Sequence, residues 1–410
     1  MLTFNEQAVR MTRLSVPFGL VFIGLSTLMM PTQVRAQFGA SGNITAQFES
    51  NSNVFALPSG AEQSAFNGLR RSDTYYAYGA ELDADYLWGR QKFFATAHAT
   101  RYEYDHLSEL DHNDYTIDAG MNWVFNSVLD GTLSVVRSHA IVPFQNLLGT
   151  EGEVSLLTLS DGLQETFSVN YQLNPNWKTI GSAYYSIGDQ TSNGFVTQLK
   201  QTSGTAALDY LGIGALTSGV SVSHLTGSYD GFNPLGAANP SFEQSTAAFT
   251  ADYTHTRTIF GGQLGYSRRS SDSQSNSTSG FAGLLNLKYQ LTPKTTFRVH
   301  IDRTINSYYL NTGSEIDTNA GAGFSWQSTY KLSANIDYTF TYRDFPGQGN
   351  NPVGSTRVDI QENWTMSLNY QPQRWVSIKP YANLLTRRST FIGGAFDSNI
   401  FGVTFTFYRR

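Results

Sequence analysis

The 410-residue chain has no cysteine, so neither a disulfide framework nor a thiolate-ligated metal centre is open to it. Charge is scarce too. Asp, Glu, Lys and Arg make up 14% of the residues, against about 25% in an average soluble domain. That scarcity excludes a highly charged disordered chain and a nucleic-acid binder, which both need dense charge. Long hydrophobic runs are also missing: downstream of Ala36 nothing approaches the roughly 18 consecutive apolar residues of a bilayer-crossing helix. What is present is 40% hydrophobic and 14% aromatic residues at a mean hydropathy of only −0.29. Gly, Ser, Thr, Asn and Gln supply the polar balance. A barrel of strands reconciles these features, because each strand needs only about 9–11 residues and meets lipid at alternate positions.

At the N-terminus, Arg10 and Arg13 precede an apolar run from Leu14 to Met30, broken by Ser15, Pro17, Ser26 and Thr27; Val34-Arg35-Ala36 then leads into Gln37. This order predicts a signal peptide over residues 1–36, cleaved after Ala36, with Met11 as an alternative start. Residues 37–410 are then a single domain that leaves the cytoplasm. Taking Arg10, Arg13 and Arg35 from 27 basic residues and Glu6 from 32 acidic ones leaves 24 and 31, a net charge of −7.

Period-two alternation runs through that domain. Tyr76, Tyr78, Ala80, Leu82, Ala84, Tyr86 and Trp88 share one parity, with Gly79, Glu81, Asp83 and Asp85 on the other. A two-residue turn at Gly89-Arg90 pairs Tyr86 with Phe93, Leu82 with Ala97 and Glu81 with His98, so that apolar meets apolar and polar meets polar. The pattern recurs to the C-terminus. It predicts an all-β, transmembrane antiparallel outer-membrane β-barrel of about 18 strands, with 16 as the alternative.

Short turns at 89–90, 174–176, 212–214, 292–294 and 371–374 alternate with longer connections, among them 139–163, 188–201 and 268–279. Short periplasmic turns and long outer loops are the habit of bacterial outer-membrane barrels. Trp88, Trp123, Trp177, Trp326 and Trp375 each fall beside a short turn, as a periplasmic-side aromatic girdle requires. In the final strand Gly402, Phe405 and Phe407 resemble the C-terminal assembly signal of such barrels. Ile400 stands where a polar residue is usual, and Arg409-Arg410 extend past the aromatic end.

About 18 strands enclose a water-filled channel unless loops or a plug obstruct it. Polar parity nominates Glu81, Asp83, Asp85, His98, Asp118, Lys288, Arg298, His300, Asp302, Asp337 and Lys379 as pore-lining, with Asp209, Asp252, Asp359, Lys92 and Lys331 beside them. The set leans acidic, which favours cations or neutral solutes in an open pore; the alternative is a solvated wall cross-linked by ion pairs. A five-residue connection between Leu291 and Phe297 aligns Lys288 with His300 and Asn286 with Asp302. Glu81 with His98 admits a hydrolase reading, but no serine is fixed beside them, and the pattern calls for no catalytic residue, cofactor or metal. The apolar loop 139–163 is a candidate constriction or cover, whereas 268–279 is a polar tip.

The opening of the mature chain, Asn43-Ile44-Thr45-Ala46-Gln47-Phe48-Glu49-Ser50-Asn51-Ser52-Asn53-Val54-Phe55, resembles the first strand of the putative beta-barrel porin type 2 family. The resemblance implies an outer-membrane barrel associated with exopolysaccharide production. The expected function is a porin-like passive channel in the outer membrane of a Gram-negative bacterium, in the service of exopolysaccharide or oligosaccharide export. The rival is a loop-closed structural or assembly barrel without conductance. Expected partners are outer-membrane lipid, the barrel-assembly machinery and polysaccharide-export components, with no nucleic acid; oligomeric state is left open.

Overall fold

The structure, a computed structural model, describes residues 37–58, 70–144, 158–192, 195–212, 214–231, 241–272, 277–307, 314–346, 357–391 and 393–409. Residues 1–36, with the signal peptide and its cleavage after Ala36, lie outside these. The strands are β1 Gln37–Asn51, β2 Asp73–Trp88, β3 Gln91–Tyr104, β4 His112–Val124, β5 Leu129–Ile141, β6 Thr158–Asn174, β7 Trp177–Ser192, β8 Phe195–Leu211 and β9 Leu216–Gly231. They continue as β10 Ser241–His255, β11 Thr258–Ser271, β12 Thr278–Thr292, β13 Thr295–Ser307, β14 Ser314–Gln327, β15 Leu332–Phe345, β16 Arg357–Gln373, β17 Val376–Ser389 and β18 Phe396–Arg409. Each pairs antiparallel with its sequence neighbours, and β1 pairs with β18, so the 18-stranded sheet closes on itself and has no free edge.

The pairing of β2 with β3 is the one the alternation requires, with Glu81 opposite His98, Leu82 opposite Ala97 and Tyr86 opposite Phe93. Gly89 takes φ +66° in the connecting turn, as a two-residue hairpin turn demands of one central residue. We expect Gly89→Val to lower the unfolding midpoint in urea by the equivalent of about 1–2 kcal/mol, the cost of a left-handed conformation for an L side chain; an unchanged midpoint would count against the turn.

Two expectations are corrected. The described residues of 188–201 are strand rather than long loop, since β7 runs to Ser192 and β8 begins at Phe195. Lys288 faces Arg298 rather than His300, and Asn286 faces His300 rather than Asp302, whose partner is Leu284. A register shift between Gln290 and Thr292 and a tight turn at Pro293-Lys294 move the pairing by two residues. Pro293 promotes that turn by fixing its own φ.

On most strands one parity carries exposed large apolar side chains, such as Phe38, Leu82, Leu264 and Phe281, and in a closed barrel this is the outer wall. The opposite parity lines the interior. Tracing the outer parity through the registers gives a charge-free band beside the short turns. Apart from His255 and Arg409 at the strand ends, the first outward charges lie well up their strands. Arg137 is eight residues beyond Leu129, where β5 begins, and Arg303 eight beyond Thr295, where β13 begins. At about 3.3 Å per residue and a tilt near 40°, eight to ten residues span roughly 20–25 Å, the height of a barrel's lipid-facing band. Trp88, Trp123, Trp177 and Trp326 lie at the turn end of this face and Trp375 in the turn after β16.

Candidate functional site

The interior wall divides into three arcs. On β2, Glu81, Asp83 and Asp85 occupy three successive inward positions. Thr96 Oγ1 donates to Asp83 at 2.9 Å, Ser41 Oγ to its other oxygen at 3.4 Å, and Asn43 Nδ2 to Glu81 at 3.2 Å. Asp85 lies over Gly39, where an added Cβ would come within 2.6 Å of the carboxylate. Among the described residues these three carboxylates have no Lys or Arg within 4.0 Å; neutral donors hold Glu81 and Asp83. Asp118 faces the same arc opposite Thr96 on β3, and its Oδ1 is buried without a hydrogen bond among the described residues.

The second arc, β12 to β17, is cross-linked. Arg298 on β13 crosses Gly323 on β14 to reach Asp337 on β15 at 2.8 Å, and also donates to Ser325. The missing side chain at Gly323 is what opens that route, because a Cβ there would collide with Asp337. His300 lies over Gly321 in the same way, and Asp302 accepts from Asn319 Nδ2 at 2.8 Å. Toward the loops, Arg343 pairs with Asp317 at 2.9 Å and Arg357 grips Asp359 with two nitrogens. Lys288 and Lys379 have inward parity near the turn end. Lys331 is corrected from wall to turn, since it precedes β15 and its Nζ donates to the carbonyl of Pro372.

The third arc, β5 to β10, is neutral over its middle and loop-side part. Two recesses of about 220 and 300 Å³ lie on it, the larger lined by Tyr184, Gln201, Ser203, Thr205, Gln244 and Thr246 among others. Asp209 and Asp252 also have inward parity, but near the turn end of this arc.

At the loop end, Phe55 and Leu57 pack with Leu107, Leu110 and Phe144 into a buried cluster joining three connections. Val142 and Phe144 belong to the apolar 139–163 stretch; β5 and β6 take Ile141 and Thr158, and residues 145–157 lie outside the described ones. Asp73 organises the neighbouring loop, accepting from the backbone nitrogens of Thr74, His106 and Leu107. With Asp105 and His106 it forms a trio whose ligand atoms lie within 4.8 Å of one another, but those backbone bonds already occupy its carboxylate.

His98 lies 3.8 Å from Glu81, and its Nε2 is 2.8 Å from Thr100 Oγ1. The hydroxyl missing from the sequence argument is thus a threonine. It is buried against Gly79, and the His98–Glu81 distance exceeds hydrogen-bond length, so the arrangement is a wall rung rather than an activated nucleophile.

A closed 18-stranded antiparallel barrel with an apolar outer wall and a polar, charged lining defines the class: a porin-like outer-membrane β-barrel. Residues 256–409 match the model of the family described as Putative beta-barrel porin 2, the same family that residues 43–55 resemble. Among solved structures, the apoprotein form of the FrpB iron transporter from Neisseria meningitidis (F5-1 variant) is 11% identical. The match covers 85% of this chain and 62% of that one at a TM-score of 0.53. The F3-3 variant is 13% identical with the same coverages and a TM-score of 0.50. OpdK from Pseudomonas aeruginosa, solved with vanillate, is 10% identical over 90% of this chain and 99% of its own, with a TM-score of 0.48. At these identities the likeness is one of fold, and this chain spans less than two thirds of the FrpB chains. The sequence matches no curated protein.

Proposed function

We propose that the barrel is a passive aqueous channel of the outer membrane with a preference for cations and neutral solutes. The observation that carries this reading is the inward row Glu81, Asp83 and Asp85, three carboxylates with no Lys or Arg within 4.0 Å among the described residues, whereas Asp337, Asp317 and Asp359 of the second arc are each paired with an arginine. Uncompensated charge on one wall raises the local concentration of counter-ions along the path. The family resemblance adds oligosaccharide or exopolysaccharide export, and the neutral arc supports it, since hydroxyl and amide side chains suit hydroxylated solutes without trapping ions. Gly402, Phe405 and Phe407 serve recognition by the barrel-assembly machinery in this reading. No catalytic role is assigned.

Planar-bilayer recordings on refolded protein test it. Stable conductance steps are expected, and Asp83→Asn with Asp85→Asn should reduce the cation-to-anion permeability ratio roughly twofold at low salt, where screening is weak. An unchanged reversal potential would sink the selectivity argument. The apolar cluster of Phe55, Leu57 and Phe144 favours a second reading, a barrel covered at its loop end; folded protein that stays silent supports that one instead.

A further inference from the structure

At the loop-side border of the apolar band the first outward charge is basic on six strands and acidic on others, such as Glu165 on β6 and Glu362 on β16. On β3 the first outward charge above the band is Arg101, with Glu103 two residues higher. The first on β5 is Arg137, on β8 Lys200, on β11 Arg268, on β13 Arg303 and on β17 Arg388. Outward acids such as Asp189, Asp230, Glu243 and Asp344 lie farther from their turns than Arg137 and Arg303 do. The low-lying Glu165 is opposite Val135, one diagonal from Arg137, which faces Leu163.

Of these border cations Arg101 pairs with Glu103 and Asp111. The inward Arg298, Arg343 and Arg357 each bind a carboxylate. Among the described residues, Arg137, Arg268, Arg303 and Arg388 have no carboxylate within 4.0 Å, although all four are exposed. Arg303 donates to the Thr318 hydroxyl at 2.8 Å. Small neighbours leave room around two of them: Arg268 stands between Ser245 and Ser279, and Arg303 between Gly283 and Thr318. A guanidinium at the edge of a lipid-facing band, open on one side and without a protein anion, suits a phosphate group, whose oxygens match its forked donors.

We propose that this border is a binding belt for the phosphate groups of anionic lipid in the loop-side leaflet, with Arg137, Arg268 and Arg303 as its anchors. The proposal rests on reading the apolar band as lipid-facing. The test uses the full chain refolded into phosphatidylcholine vesicles with or without bis-phosphorylated lipid A, then extracted into neutral detergent for native mass spectrometry. Wild-type protein should retain lipid A in preference to its dephosphorylated form. The triple variant R137Q/R268Q/R303Q should lose that retention roughly tenfold or more, since each basic side chain at a charged membrane surface contributes about 1 kcal/mol. Equal retention by variant and wild type overturns the belt, as does equal retention of the phosphorylated and dephosphorylated forms by wild type. Should the triple variant not fold, the wild-type comparison of those two forms still decides. Failure to insert into either vesicle overturns the lipid-facing reading, and with it the belt.

Discussion

Gly402→Val is expected to abolish most of the folded, heat-modifiable barrel on a cold SDS gel. Gly402 stands on β18 between Tyr381 on β17 and Glu49 on β1. The phenol of Tyr381 crosses the bare glycine to donate to Glu49, and Gln47 Nε2 donates to both, at 2.7 Å to Tyr381 and 3.1 Å to Glu49. A Cβ at 402 would strike the Tyr381 hydroxyl and lie 2.8 Å from a ring carbon. Overpacking of this kind costs about 1–3 kcal/mol, and losing a hydrogen bond to a carboxylate costs about 1.5–3 kcal/mol more. Adding Tyr381→Ala to Gly402→Val should restore much of the folded species by removing the obstruction. If the valine variant refolds normally in detergent and fails only in cells, Gly402 acts through the assembly machinery and the steric account is wrong.

Asp359→Asn carries the other large effect. Asp359 is 1% exposed and Arg357 5%, with nitrogen–oxygen distances of 2.6 and 3.2 Å between them. Ser389 donates to the same carboxylate, and the Arg357 guanidinium stacks 4.4 Å from the Phe345 ring. Removing one partner of a buried pair leaves an uncompensated charge and costs about 3–5 kcal/mol. The urea midpoint of Asp359→Asn should fall accordingly, while R357L/D359L should lose less than the single variant. A single variant with wild-type stability would show that the pair is hydrated and its burial unimportant.

Why the strand count was readable, and part of the wall was not, follows from how the information is distributed. Alternation is local: Tyr76 to Trp88 declares both a strand and its two faces, and the Gly89-Arg90 turn fixes a register that the pairing of Glu81 with His98 reproduces. Register beyond a turn depends on bulges. The two-residue slip at Lys288 came from the irregularity beside Pro293, which alternation cannot reveal, because a shift of two residues leaves every side chain on the same face. Contacts that skip a strand were hidden for another reason. Arg298 to Asp337 and Tyr381 to Glu49 each cross an intervening glycine, and a glycine of inward parity reads as a mere gap in the pattern until the neighbours on both sides are known. The loop cluster of Phe55, Leu107 and Phe144 brings together segments far apart in sequence, with no periodicity to connect them.

The strands are longer than the apolar band requires. β6, β8 and β16 each have 17 residues, whereas the charge-free part of the outer wall uses about eight to ten. On these strands the surplus, all on the loop side, amounts to roughly 18–23 Å of hydrogen-bonded sheet standing clear of the hydrocarbon. The mouth is therefore carried on a stiff collar instead of on pliant loops, and on one side of it a solute meets Arg343 and Asp359 before it reaches the depth of the lipid. Shortening β8 and β9 in step would lower one side of that collar without touching the constellation at Asp83, which separates the height of the entrance from the selectivity of the passage.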